Sequence, residues 1–185
     1  MRRLSILLSA LGIFFLQACK DEPRKEETVK DGYALFQSDS LGLSIEYPQT
    51  YELKENIKPE IPVSFIDKTS PSENYLDWSK IMLNIEPLPA VQLQLLEYLQ
   101  ASQTELKILM PSLRMYDTDS LESIQGKKVG TYQYDRDGKE RSFTCKMYVF
   151  LLEGRAVNVN CVSLKDEFEN KETEFDELVK SIKFK

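Results

Sequence analysis

The chain contains no histidine. That absence removes Ser-His-Asp and Cys-His catalysis, histidine-bound zinc, and the usual general base near neutral pH. Positive charge is also scarce: 24 lysines and arginines against 30 aspartates and glutamates leave a formal charge of −6. Nucleic-acid binding rests on neutralising phosphates and needs the opposite balance, so no nucleic-acid partner is expected. There is no Walker loop, dinucleotide fingerprint, nucleophile elbow or Cys-x-x-Cys pair, so no cofactor is implied and no catalytic residue is marked. Asp135-Arg136-Asp137-Gly138 opens like a calcium loop but lacks the third acidic position and the closing glutamate. It reads as a hairpin turn, and no metal site is assigned.

What is present begins with an address. Arg2 and Arg3 precede an apolar stretch from Leu4 to Leu16, roughly 20 Å long as a helix and well short of the roughly 30 Å hydrocarbon core. This is the pattern of a signal-peptide h-region, and no later hydrophobic run is long enough to span a bilayer. Leu16-Gln17-Ala18-Cys19 resembles the lipobox of bacterial lipoprotein precursors. That resemblance implies removal of residues 1–18 and acylation of Cys19, with chains such as palmitate supplying the membrane anchor. Losing Arg2 and Arg3 takes the formal charge from −6 to −8. The lipid therefore supplies membrane affinity without a basic patch.

Residues 19–31 are almost without apolar side chains, as expected of a disordered tether reaching roughly 20 Å. An aspartate directly after the acylated cysteine is associated with inner-membrane retention in enterobacterial lipoproteins, and Lys20 stands there instead. Lys20-Asp21-Glu22 also resembles a surface-export signal. Outer-membrane or cell-surface placement is expected ahead of the inner membrane.

One globular domain is expected over residues 32–185. Leu43, Ile45 and Tyr47 alternate with polar neighbours up to Pro48, and 63–67 and 80–85 are further strand candidates. From Pro89 the period becomes helical: Val91, Leu95, Leu99, Ser102 and Leu106 share one face, and Pro111 marks the end. Strands are then expected near 115–124, 128–134, 141–151 and 155–163, separated by turn signals at Gln125-Gly126, Asp135–Gly138 and Glu153-Gly154. A last helix carries Phe168, Phe175, Leu178, Val179 and Ile182 in one stripe, with Ser163 and Asp166 resembling a capping pair. The fold class is α+β: an antiparallel sheet covered by two main helices.

Cys145 and Cys161 flank the last hairpin. A three-residue loop, Leu152-Glu153-Gly154, would set them directly opposite each other and allow a disulfide in an oxidising compartment. A two-residue turn would put them on opposite faces as reduced, buried side chains. Trp78, beside Tyr75, suits either a ligand contact or a partly buried core position.

Gly42-Leu43-Ser44-Ile45-Glu46-Tyr47-Pro48, the central helix, the hairpin ending at Cys161 and the closing stretch Phe175 to Phe184 resemble the PsbP/Mog1-like α/β/α sandwich. The resemblance covers most of the chain from Gly32. It implies a non-enzymatic binding or accessory role, here for another cell-envelope protein, with no partner-binding residue carried over. The alternative is a carboxylate-based envelope hydrolase acting on glycans, which needs a cleft holding two acids roughly 5–9.5 Å apart.

Overall fold

A computed structural model of the protein describes residues 29–70, 73–88, 94–116, 121–138 and 140–185. The leader, Cys19, Lys20 and most of the tether lie outside these residues, as do Pro89 and Val91. β1 (Tyr33–Ser38) and β2 (Leu43–Pro48) form a hairpin. Its turn needs a left-handed residue, which Gly42 supplies at φ 61. β3 (Tyr51–Lys58) pairs with β4 (Ile61–Asp67), and a 3-10 turn at Tyr75–Asp77 leads into β5 (Lys80–Pro87). Then come α1 (Leu95–Leu109), β6 (Arg114–Tyr116), β7 (Leu121–Ile124), β8 (Lys127–Asp137), β9 (Ser142–Leu152), β10 (Arg155–Leu164), α2 (Phe168–Lys180) and β11 (Lys183–Phe184).

Two antiparallel sheets result. The larger runs β3-β4-β5-β10-β9-β8-β6, with β7 also paired to β8, and the smaller runs β1-β2-β11. α1 packs on β8 and β9, whereas α2 packs on β10 and β2. The larger sheet is thus sandwiched, with α1 on one face and α2 plus the small sheet on the other. Alternation along each strand divides the apolar residues accordingly. Phe65, Leu83, Phe150 and Val159 meet Phe175 and Leu178 of α2, while Tyr132, Val149 and Val162 meet Tyr98 and Leu99 of α1.

Several expectations change in detail. The strand expected near 115–124 is two, β6 and β7, both paired with β8. Ser163 does not cap α2: it sits in β10, fully buried, with its hydroxyl 2.8 Å from that of Ser79. Strands β1, β3 and β11 carry no alternation strong enough to mark them beforehand. The stripe on α2 holds, with Phe168, Phe175, Leu178 and Val179 all buried, and Ile182, just past the helix end, is buried with them.

The last hairpin settles the register. Leu152 pairs with Arg155 across a two-residue turn, Glu153-Gly154, so Cys145 faces Val162 and Cys161 faces Lys146. Because neighbouring residues on a strand point to opposite faces, the two thiols lie on opposite sides of the sheet, Cys145 toward α1 and Cys161 toward α2. Both are free and buried. The three-residue loop that would have joined them is not the one formed. Burial pushes the Cys145 thiol up to about 11 and Cys161 well above its usual value. Neither thiol should react with a maleimide at pH 8 in the folded protein, and both should react in denaturant. Mass spectrometry after labelling, with and without prior reduction, checks this; native modification of either would contradict the packing.

Gly130 explains how closely α1 approaches. A Cβ on this β8 residue would lie 2.3 Å from Leu99 Cδ1, a distance no packed pair of carbons tolerates. The bare backbone lets a fully buried Leu99 seat directly on the sheet.

Candidate functional site

The two faces of the large sheet differ in chemistry. Under α2 the core is apolar and its margin is clasped by charge: Lys146 reaches Glu172 at 2.8 Å and Asp176 at 3.0 Å, and Lys171 reaches Asp67 at 2.6 Å. Under α1, apolar packing covers β8 and β9 but gives way to polar side chains at β10 and β5. Here β10 reads Val157-Asn158-Val159-Asn160. The valines point to the α2 core, and the asparagines point the other way.

Asn158 is only 7% exposed, and its Nδ2 donates to Tyr98 Oη at 2.8 Å. Tyr98 in turn donates to Glu86 Oε2 at 2.7 Å. The direction of this chain follows from chemistry: a carboxylate only accepts, so the tyrosine proton points at Glu86 and its oxygen must accept from the Asn158 amide. Burial, followed by the bond to Glu86, raises the Tyr98 hydroxyl above its ordinary pKa. The Asn158 amide is therefore fixed with Oδ1 turned away from Tyr98. That oxygen is buried without a hydrogen-bond partner, as is Oδ1 of Asn160 on the same face. Such a group costs about 1–3 kcal/mol when left unsatisfied.

A cleft of about 390 Å³ opens over this floor, between α1 and strands β5 and β10. Its polar walls carry Asn84, Glu86, Glu105 and Tyr98, and its apolar strip carries Leu106, Leu109 and Met147. Ser102 and Tyr132, whose hydroxyls lie 2.8 Å apart, also line it. Ser102, expected on the inward stripe of the helix, thus faces the sheet as a polar rather than an apolar contact. Beyond the rim, Ile108 is 72% exposed and Leu109 68%, so the last turn of α1 continues the apolar strip onto the surface.

The other clusters are structural. A larger hollow of about 790 Å³ is lined by Arg141, Ser142, Leu164, Lys165 and Asp166. Its two cations are paired, Arg141 with Asp77 at 3.4 Å and Lys165 with Asp135 at 2.6 Å. Asp135, the first acid of the expected turn, also accepts from Tyr116 at 2.5 Å and Thr144 at 2.8 Å. Burial works to raise its carboxyl, but these bonds outweigh it and leave it below the usual range. Among the described residues no group of three or more acids and cysteines is arranged to hold a metal. Trp78 is half-buried and lies against Tyr75, with ring centroids 5.5 Å apart.

No protein-family model matches the sequence, and no curated protein matches it. Solved structures do. The solution structure of PsbP from Synechocystis superposes with a TM-score of 0.63 at 14% identity, covering 83% of this chain and 93% of that one. The Ran-binding protein Mog1p of Saccharomyces cerevisiae superposes with a TM-score of 0.54 at 12% identity, covering 82% and 95%. The fold is PsbP/Mog1-like. A third PsbP/Mog1-like neighbour is LpqN of Mycobacterium tuberculosis, described as involved in cell envelope biogenesis, with a TM-score of 0.62, 13% identity and coverage of 82% and 84%. At such identities the likeness is one of architecture, and the cleft must be argued from this chain's own residues. Its floor residue, Asn158, was missed in the sequence because alternate polar positions on a hairpin strand read as a solvent face.

Proposed function

We propose that the chain is a lipid-anchored, non-enzymatic envelope protein that binds another envelope component through the cleft beneath α1. The observation that carries this reading is the cleft itself: a concave surface with a buried amide oxygen in need of a donor at its floor, and an exposed apolar helix end at its rim. The Arg2-Arg3 leader and Cys19 support the anchor, with outer-membrane or surface placement proposed from Lys20. The architecture shared with LpqN and Mog1p is compatible with such a role. Catalysis is disfavoured by the state of the acids. Asp67 and Asp135 are held below the usual carboxylate range, opposite to the shift a general acid requires, and Glu86 in the cleft is occupied by Tyr98.

Photo-crosslinking in cells tests this reading. A benzophenone amino acid at Leu109 should capture one envelope protein that an identical probe at Glu169, exposed on α2, does not. The capture should disappear in a Cys19→Ala background, and the wild-type protein should carry the mass of its acyl chains. Equal capture from both positions, or capture indifferent to Cys19, would overturn the proposal.

A further inference from the structure

Resting on the reading of the α1 cleft as a binding site, we infer that the group it receives is a basic side chain, arginine or lysine, presented by a protein partner. The cleft offers an acceptor at its floor. Asn158, which lines it, has Oδ1 turned away from Tyr98 by the hydrogen-bond direction already derived, and that oxygen has no donor. A ligand that relieves it must bring a hydrogen-bond donor. Charge then selects among donors. Glu60, Glu86 and Glu105 line the cleft, and among the described residues no lysine or arginine does. A neutral amide or hydroxyl would satisfy the geometry, but a guanidinium or ammonium also meets the field of three carboxylates. Hydrogen bonds of this charged kind are the stronger ones.

The remaining walls fit the rest of such a residue. Leu106, Leu109 and Met147 make a strip along which the aliphatic stem of arginine or lysine can lie while its head sits by Asn158. The apolar surface does not stop there. Ile108 and Leu109 extend it outward, further than a small polyamine could cover. A polypeptide carrying apolar residues beside the basic one covers both, which makes a protein segment the source of the cation rather than a free metabolite.

The experiment uses the full chain in detergent, 15N-labelled, titrated with acetyl-Leu-Arg-Leu-amide, its citrulline counterpart and spermidine. The arginine peptide should shift the Asn158 side-chain amide resonances saturably, and citrulline, which keeps the shape and loses the charge, should bind about tenfold more weakly. Asn158→Leu should weaken the arginine peptide by about tenfold or more. Should that variant fail to fold, Glu105→Gln, an exposed change, decides the point with about a threefold loss at low salt that shrinks as salt is added. Equal binding of citrulline, no saturable shift, or indifference to Glu105→Gln would overturn the inference; tighter binding of spermidine than of the peptide would overturn the protein source. Failure of the peptides with continued capture from Leu109 in cells would remove only the ligand chemistry. Peptide binding without such capture would remove the envelope-binding reading instead.

Discussion

Replacing Gly130 by alanine is expected to lower the unfolding free energy by about 1–3 kcal/mol, the cost of overpacking a close-fitted core. The added methyl would sit 2.3 Å from Leu99 Cδ1 and 2.9 Å from Leu99 Cγ. Leu99 has no exposed surface, so it cannot swing into solvent, and either α1 lifts or the leucine leaves its preferred rotamer. Alanine restricts the unfolded chain more than glycine does, which returns part of the loss. Leu99→Ala alone should cost about 2–5 kcal/mol through lost burial and the cavity it leaves. The informative variant is the double one. With Leu99 shortened, the methyl at position 130 enters the vacated space, so the double mutant should be more stable than the sum of the singles predicts by at least about 1 kcal/mol. Urea unfolding followed by fluorescence measures all three; strict additivity would show that α1 does not seat on Gly130. Lifting α1 should also weaken binding at the cleft, since that helix supplies Tyr98, Ser102 and Glu105.

Lys171→Met should destabilise the protein by about 3 kcal/mol. Lys171 Nζ lies 2.6 Å from Asp67 Oδ2, and the Asp67 side chain is fully buried. Removing one partner of a buried pair leaves a desolvated charge, at about 3–5 kcal/mol; the lower end applies because Lys171 is 22% exposed. Acid should act on the same contact in wild type. Burial by itself raises the Asp67 carboxyl, but Lys171 and the two bonds from Thr69, at 2.8 and 2.7 Å, outweigh it and hold the pKa below its ordinary value. A depressed folded pKa means the contribution is complete above the unfolded value of about 3.9 and is lost as pH falls through the lower folded one. Asp135 shifts the same way. Stability in urea should therefore be flat from neutral pH to about 5 and decline below about 4. In Lys171→Met the Asp67 carboxyl keeps its burial without its cation, so its folded pKa rises and its share of the acid decline is lost; the stability gap between mutant and wild type should narrow as pH falls below about 4. Parallel pH curves for the two proteins would refute the assignment.

The elements legible in the sequence were those whose faces differ sharply. Leu43, Ile45 and Tyr47 marked β2, Gln125-Gly126 marked the turn that sets Ile124 against Lys127, and the α2 stripe declared itself in phenylalanines. β3 was invisible because Glu52, Lys54, Glu55 and Lys58 mask its period, as suits a strand at a sheet margin. The cysteine register depended on whether Leu152 belongs to the strand or the loop. That is a difference of one residue in a turn, which local composition does not decide. The cleft was harder still, because it arises where a helix from one stretch of chain stops short of two strands from others. A pair of asparagines alternating with valines on a central strand was the available signal. It becomes meaningful only when β10 is known to be covered on both faces.

The margins of the larger sheet bear on how copies of this protein behave when crowded together. An unpaired strand edge is a template for another chain, and a domain with two such edges can grow into ribbons. Here one margin, β3, is studded with lysines and glutamates and broken by a register shift between Glu55 and Lys58, with Asn56 at φ 54. The other is made of two short pieces, β6 and β7, of three and four residues. Neither offers the long, flat, uncharged rail that propagation requires. The larger sheet can therefore lie among many neighbours without extending through its backbone, and recognition along its margins is left to side chains.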